Sequence, residues 1–144
     1  MDINFRCDCP ITSALDILGD KWILVIIKQM LLEDKQTFKD FIESDEAIAT
    51  NILSSRLKTL EKLAIISKSK LPNNKKTNIY HLTESGLSLA PIIVELALWS
   101  DANLRGLNKI MRRDEALEMM KSNKATFIKT VIQNYREKTG NSQE

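Results

Sequence analysis

The chain has 144 residues, of which 43% are hydrophobic and 28% charged, and its formal net charge is +2. These values predict one globular domain with a hydrophobic core. The longest apolar run, 22–27, is far shorter than the roughly 20 residues of a membrane-spanning helix, which excludes a membrane protein. Because the N-terminal MDINFRCDCP has no apolar segment typical of a secretory signal, we expect a cytoplasmic location.

The N-terminal third predicts two helices. Pro10 and Gly19 mark the ends of the first, 11–18, and Asp20 can cap the second, 21–32. The second helix is apolar on nearly every side, which is typical of a buried helix.

A short helix and a longer one are predicted next, at 38–43 and 49–63, with the polar link 44–46 between them. Thr37 can cap the short helix, and Asp40 strengthens its first turn. The longer helix has an apolar stripe of Leu53, Leu57 and Leu60. Its opposite face is small and polar, and this pattern of helix, short turn and helix predicts a helix-turn-helix.

Two strands are predicted at 65–70 and 78–82, and the segment PNNKK between them has turn chemistry. Lys75 and Lys76 are therefore expected at the tip of a β-hairpin. The predicted fold is mainly α-helical with a small hairpin wing, a winged helix-turn-helix.

Positive charge is concentrated on this helix and hairpin. Residues 47–81 contain seven Lys or Arg and one acid, a net charge of +6, so the rest of the chain carries −4. A cationic helix followed by a cationic hairpin is typical of a winged helix that docks on double-stranded DNA.

The C-terminal part is predicted to be helical. Thr83 can cap a long helix, 84–104, which Pro91 should kink or break near its start. Helices at 114–122 and 125–138 follow, and 139–144 is expected to be a frayed tail. We divide the chain into a DNA-binding domain with dimerisation helices, 1–105, and a helical extension, 106–144.

Five motifs in series resemble the HxlR-type winged-helix transcriptional regulators, relatives of the MarR group. They are CPITSALDILGDKW, FKDF, NILSSRLKTLEKL, YHLTESGLSL and the helix that ends at Trp99. The resemblance implies a homodimer whose terminal helices pair while two recognition helices enter successive major grooves of a pseudo-palindromic operator. In some members the cysteine before the N-terminal proline, here Cys9, senses oxidants or electrophiles.

Eight residues are the candidate DNA contacts. Short polar side chains near a helix N-terminus can reach base edges, and asparagine suits adenine: Thr50, Asn51, Ser54 and Ser55. Long cations suit phosphate or guanine: Arg56 and Lys58. Lys75 and Lys76 on the hairpin suit phosphate or the adjacent minor groove. The alternatives are a solvated helix face, and lysines that protect the edge of a strand from pairing.

Cys9 is a candidate redox-sensing residue. The positive end of the helix that begins at Ile11 can stabilise its thiolate, and Arg6 is close in sequence. Oxidation would form an intersubunit disulfide, or an electrophile would alkylate the thiol. The alternative is an inert cysteine at a dimer interface.

The sequence does not favour catalysis or a bound cofactor. Cys7 and Cys9 supply two of the four ligands of a structural zinc, and the one histidine, His81, is distant. Nucleotide-binding glycine loops and hydrolytic triads are also absent from the sequence. We therefore expect a transcription regulator and not an enzyme. The alternatives are a winged helix that binds only proteins and, third, a small redox enzyme that uses the two cysteines.

Overall fold

The structure is a computed structural model that describes residues 3–140. Within these residues the chain forms eight helices and a two-stranded antiparallel sheet, arranged in two compact units, Met1–Gly86 and Leu87–Glu144. The predicted division into 1–105 and 106–144 is a functional one, and it stays a prediction. In the part of the chain that the structure describes, no helix is long and apolar enough to cross a membrane.

The first unit has the predicted elements in the predicted order. They are α1 Pro10–Leu18, α2 Lys21–Glu33, α3 Phe38–Ile42, α4 Thr50–Lys62, β1 Ile66–Leu71 and β2 Asn74–Leu82. Most boundaries agree with the prediction to within one residue. The exception is β2, which begins at Asn74 and not at Asn78, because Asn74 pairs with Leu71 across the turn and the polar residues between Asn74 and Asn78 show no apolar alternation. The mainly helical fold with a hairpin wing is thereby confirmed.

The core of the first unit is built around α2. Ile26, Ile27 and Met30 of this helix have no exposed surface. Elements on several sides contact α2, namely α1, α4 and β2. This confirms the prediction of a buried helix, since a helix that is apolar all round must be covered all round.

A short helix, α5 Glu84–Leu87, follows the hairpin. The Thr83 hydroxyl accepts from the backbone N–H of Gly86 at 3.2 Å and donates to the carbonyl of Ala64 at 2.6 Å. A side chain at position 86 would collide with the carbonyl oxygen of Ile65, so the close approach requires glycine. The predicted cap at Thr83 is therefore confirmed.

The second unit contains three longer helices, α6 Ala90–Asn103, α7 Glu115–Ser122 and α8 Lys124–Thr139. The predicted long helix is broken after α5, and Pro91 lies in the first turn of α6, as expected. Asp114 caps α7 by accepting from Leu117 N–H at 2.9 Å. The buried core joins all three helices through Val94, Leu117, Met120 and Phe127.

The loop from α6 to α7 and the end of α8 complete this unit. Arg105 stabilises the loop by donating to the Asp101 carboxylate at 2.9 Å and to the Met111 carbonyl at 2.6 Å. Of the predicted frayed tail, Thr139 lies in α8 and Gly140 ends that helix in a left-handed conformation. Residues 141–144 lie outside the described residues.

Candidate nucleic-acid interface

The helix α4, which we call the recognition helix, has one buried and one exposed face. Three leucines at helical spacing are at most 2% exposed and fix the inward face: Leu53, Leu57 and Leu60. The predicted contact residues occupy the rest of the helix. Ser54 and Arg56 are half-buried, and the others are exposed: Thr50, Asn51, Ser55 and Lys58. Four of these six side chains are therefore accessible to a partner.

The start of α4 has no side-chain cap. Ala49 is at the N-cap position and makes no side-chain hydrogen bond, and Ala47 before it has a left-handed φ of 56°. Among the described residues, the first backbone N–H groups of α4 therefore lack a capping side chain. The positive end of the helix lies beside Thr50 and Asn51, where an anion such as phosphate is stabilised.

The turn between α3 and α4 is held by side chains from α2. Lys28 Nζ lies 2.6 Å from Glu46 Oε2 and 2.7 Å from Glu33 Oε2. Gln29, which is 1% exposed, donates from Nε2 to Ser44 Oγ at 2.8 Å. These contacts fix the loop that leads into the recognition helix.

The short helix α3 begins with a complete capping box. Thr37 Oγ1 accepts from Asp40 N–H at 3.1 Å, and the Asp40 carboxylate accepts from Thr37 N–H at 3.0 Å. Both residues were predicted for these roles. The fully buried ring of Phe41 then anchors α3 against the core, so the first helix of the helix-turn-helix is fixed at both ends.

Arg56 forms a two-pronged ion pair with Asp20. Its Nε and Nη2 atoms each donate to a different carboxylate oxygen at 2.9 Å. The same carboxylate caps α2 by accepting from the backbone N–H groups of Trp22 and Ile23 at 3.1 and 3.2 Å. The Arg56 hydrogen bond lowers the pKa of Asp20, and the pair raises the pKa of Arg56.

The hairpin of β1 and β2, which we call the wing, is exposed over its outer half. Its inner end is buried at Ile66 and Leu82, which are paired in register. The register shifts between Lys70 and Leu71, because Lys70 pairs with Asn78 whereas Leu71 pairs with Asn74. Three residues of β2 bulge out opposite this step.

Lys75 and Lys76 lie in that bulge. The turn itself is Pro72 and Asn73, so the lysines come directly after the tip, inside the second strand, and both side chains are exposed. The Asn74 side chain accepts from Lys76 N–H at 3.0 Å and stabilises the turn. Neither lysine has an ion pair within residues 3–140, so both ammonium groups are available to an anionic partner.

Cys9 is the N-cap residue of α1 and is half-buried, whereas Cys7 is exposed. The backbone N–H of Thr12 makes the largest contribution to a lowered pKa of the Cys9 thiol. Arg6, which the sequence placed near Cys9, instead pairs with Asp16, with Nε 2.7 Å from Oδ1. The helix start, and not a neighbouring cation, therefore favours the thiolate.

Asp20 has two roles at this surface, and only one of them was predicted from the sequence. It was predicted to cap α2, and it does. Its second role as the partner of Arg56 spans 36 positions, and neither helical periodicity nor a local motif signals a contact at that separation.

An α3–turn–α4 arrangement followed by an antiparallel wing defines a winged helix-turn-helix protein. A family model, HxlR-like helix-turn-helix, matches residues 17–107, and the chain belongs to this family. Its named relatives are transcriptional regulators and not enzymes, which confirms the prediction that the protein is not an enzyme.

Several relatives of this chain come from Bacillus subtilis (strain 168), and YodB and YvaP are two of them. The HTH-type transcriptional regulator YodB is 35% identical over 94 residues, which are 65% of this chain and 83% of YodB. The uncharacterized HTH-type transcriptional regulator YvaP is 33% identical over 93 residues, which are 64% of this chain and 85% of YvaP.

Solved structures show the same fold. Reduced YodB is 34% identical with a TM-score of 0.54, covering 67% of this chain and 95% of that one. YodB has also been solved after diamide treatment and with quinone bound, each at a TM-score of 0.51. PA1607, a candidate transcription factor, is 26% identical with a TM-score of 0.62, covering 76% of this chain and 71% of that one.

Proposed function

We propose that the protein is a cytoplasmic, sequence-specific DNA-binding regulator that acts as a homodimer on a pseudo-palindromic operator. The observation that carries the proposal is the exposed polar face of the recognition helix, backed by three buried leucines and followed by a wing with unpaired lysines. Family membership supports it, since the relatives are transcriptional regulators.

The two surfaces have different roles in this proposal. Thr50, Asn51, Ser54 and Ser55 read base edges in the major groove, and Lys58 lies beside them as a phosphate or guanine contact. Lys75 and Lys76 contact phosphate, which adds affinity and salt dependence without sequence preference. Arg56 lies among the readers, but its guanidinium is bound to Asp20.

Exposed apolar side chains support the homodimer. On α1, Ile11 and Leu15 are 73% and 53% exposed, although they are one helical turn apart on an apolar stripe. On α6, Ile92, Leu96 and Trp99 form a second stripe at i, i+4 and i+7, and Trp99 is 57% exposed. A second copy of the chain would bury both stripes, and the two recognition helices would then meet half-sites about one helical turn apart, or a multiple of it.

Fluorescence anisotropy tests the DNA proposal. Labelled duplexes from upstream of the gene are compared with random duplexes of equal length at one salt concentration. We expect the operator to bind at least roughly 1,000-fold more tightly than random DNA. Equal affinity would contradict the proposal and favour a winged helix that binds only proteins. Sedimentation of the free protein tests the dimer separately, and a monomer at micromolar concentration would contradict that part.

We also propose that Cys9 makes the regulator responsive to thiol oxidants or electrophiles. Its place at the start of α1 and its lowered pKa favour the reactive thiolate. YodB, of the same family, has been solved in diamide-treated and quinone-bound forms. In this chain, diamide would take two hydrogen atoms from the Cys9 thiols of two subunits, forming a disulfide and a hydrazine. With a quinone, the thiolate sulfur would instead add to a ring carbon, the electrons of the C=C bond would move to a carbonyl oxygen, and that oxygen would take up a proton.

The test compares operator binding before and after diamide in the wild type, Cys9→Ser and the control Cys7→Ser. We expect oxidation to change the affinity of the wild type and Cys7→Ser and to leave Cys9→Ser unaffected. A non-reducing gel should show a disulfide-linked dimer for the wild type and for Cys7→Ser, and none for Cys9→Ser. An oxidant response that survives in Cys9→Ser would overturn the sensing role.

A further inference from the structure

We infer that the Asp20–Arg56 ion pair positions the recognition helix for base reading, and that Arg56 acts through Asp20 and not by contacting DNA. This inference rests on the proposed function and deepens it, because it assigns a specificity-determining role to Asp20, a residue outside the recognition helix. The pair is the link between the start of α2 and the middle of α4.

The geometry leaves the Arg56 guanidinium little freedom to bind phosphate. Two of its three nitrogens donate to the two oxygens of Asp20, each at 2.9 Å, and the third lies 3.2 Å from Ser55 Oγ. The two oxygens of the Asp20 carboxylate bind the guanidinium in the same two-pronged way as a phosphate would. A phosphate could therefore bind Arg56 in this way only by displacing Asp20. The pair is also electrically neutral, so Arg56 contributes little to the cationic field of the surface.

Asp20 is itself fixed, which makes it a firm anchor. Its carboxylate accepts from the backbone N–H groups of Trp22 and Ile23 as the cap of α2. The side chains of Asp20 and Arg56 are 32% and 27% exposed, so solvent competes only partly with the pair. Moving Arg56 away from Asp20 would therefore break both hydrogen bonds that join α4 to the start of α2 through this pair.

The consequence concerns rotation of the helix. The three buried leucines hold α4 against the core, but apolar contacts are non-directional and tolerate small rotations and shifts along the axis. A two-pronged ion pair is directional and removes that freedom. Asn51 lies about 7.5 Å from Arg56 along the helix axis, so fixing Arg56 also fixes the reach of Asn51 toward a base edge.

Four variants and one control separate positioning from direct contact. Asp20→Ser keeps a capping side chain at the start of α2 and removes the partner of Arg56. Arg56→Gln removes the charge, Arg56→Lys keeps the charge but not the fork, and a double variant combines Asp20→Ser with Arg56→Gln. Lys58→Gln is the matched control, since Lys58 is an exposed cation on the same helix with no ion pair in the described part of the chain.

Each protein is titrated with operator and random duplexes over a series of salt concentrations, and far-UV circular dichroism checks that it is folded. We expect each single variant of the pair to lower the operator-to-random ratio by roughly tenfold. The double variant should lower the ratio by a similar factor and not by the product, because both changes break one interaction. The salt slope of Arg56→Gln should equal that of the wild type, whereas Lys58→Gln should lose roughly two units of slope on both duplexes, about one for each subunit of the proposed homodimer.

If Arg56→Gln does not fold, Arg56→Lys provides the test in its place. Under the positioning role, Arg56→Lys loses discrimination although it keeps its charge. A loss of slope in Arg56→Gln as large as that in Lys58→Gln, with discrimination intact in Asp20→Ser, would overturn the inference and make Arg56 a phosphate contact. Additive losses in the double variant would overturn it as well. A wild type that does not distinguish operator from random DNA would instead overturn the proposed function, which is a different result.

Discussion

The recognition helix and the wing both present lysines and small polar side chains to solvent, but their supports differ. Behind α4 lie Leu53, Leu57 and Leu60, each at most 2% exposed, and the Asp20 ion pair holds its middle. The wing is buried only near its base. From Ser67 to Lys70 on β1 and from Asn74 to Lys76 on β2, its side chains are exposed.

Under the proposed function, this difference separates two kinds of DNA contact. Reading a base edge needs a side chain held in one place, because a hydrogen bond to the wrong position distinguishes nothing. Holding phosphate needs only a cation within reach, which a mobile lysine provides. We therefore expect changes in α4 to alter stability or specificity, and changes in the outer wing to alter overall affinity.

The largest expected effect is on stability. Leu57→Ala should lower the free energy of unfolding by about 2–5 kcal/mol, because it empties a fully packed site beneath the recognition helix. Urea denaturation followed by circular dichroism measures the change. The matched control is Leu71→Ala in the half-buried outer wing, which should cost about 1 kcal/mol or less. Equal costs would mean that the wing is as firmly supported as the helix.

The next effect is on specificity. Asn51→Ala should weaken operator binding by about 1–3 kcal/mol for each subunit and leave binding to random DNA unchanged, because the amide is proposed to contact a base and not the backbone. Anisotropy with both duplexes measures the two affinities. A parallel loss on both duplexes would place Asn51 on phosphate and remove the distinction between the two surfaces.

A third change tests the wing. In the proposed homodimer, replacing Lys75 and Lys76 together with alanine removes four lysines, which should reduce the slope of log K against log salt by roughly 3.6 if each lysine neutralises one phosphate. Operator and random DNA should weaken by the same factor. If the slope is unchanged, the two lysines serve only to prevent strand pairing at the edge.

The smallest effect is a pH dependence at the Asp20 pair. Its hydrogen bond from Arg56 depresses the pKa of Asp20 in the folded protein, so the stabilisation is complete above the unfolded value, near 3.8, and is lost as the pH falls through the folded value. At pH 7, Asp20→Ser should be less stable than the wild type by about 0.2–1 kcal/mol.

Urea titrations of both proteins from pH 7 downward measure that gap. It should close below the folded pKa of Asp20, where the carboxylate is protonated in both states. Because Asp40, Asp101 and the other carboxylates are present in both proteins, the difference isolates one residue. A gap that persists in acid would show that capping, and not the ion pair, is what the substitution changes.

The sequence predicted local features well. The cap at Thr37, the support from Asp40 in the first turn and the break at Pro91 are all set by neighbours within a few positions, which a sequence displays directly. The leucine stripe of α4 follows from helical periodicity in the same way. These signals were sufficient for the order of the elements and for the fold.

Features set by distant or unpatterned residues were not predictable. The Asp20–Arg56 pair depends on the packing of α2 against α4, and no periodicity records it. The first residues of β2 are polar on both faces, so no alternation of apolar residues marks where this strand begins. Similarly, Ala47 and Ala64 adopt left-handed φ values of 56° and 59° that alanine does not favour, so a sequence cannot indicate them.

The core of the second unit sets how many copies can pair through α6. Val94 and Leu98 lie on the side of this helix that packs with α7 and α8, whereas Ile92, Leu96 and Trp99 lie on the opposite side and remain exposed. A helix covered by its own chain on one side has a single open side and accepts a single partner. In the proposed homodimer, symmetric pairing through that side would satisfy both copies at once, so assembly through α6 would end at two and would not continue into a filament.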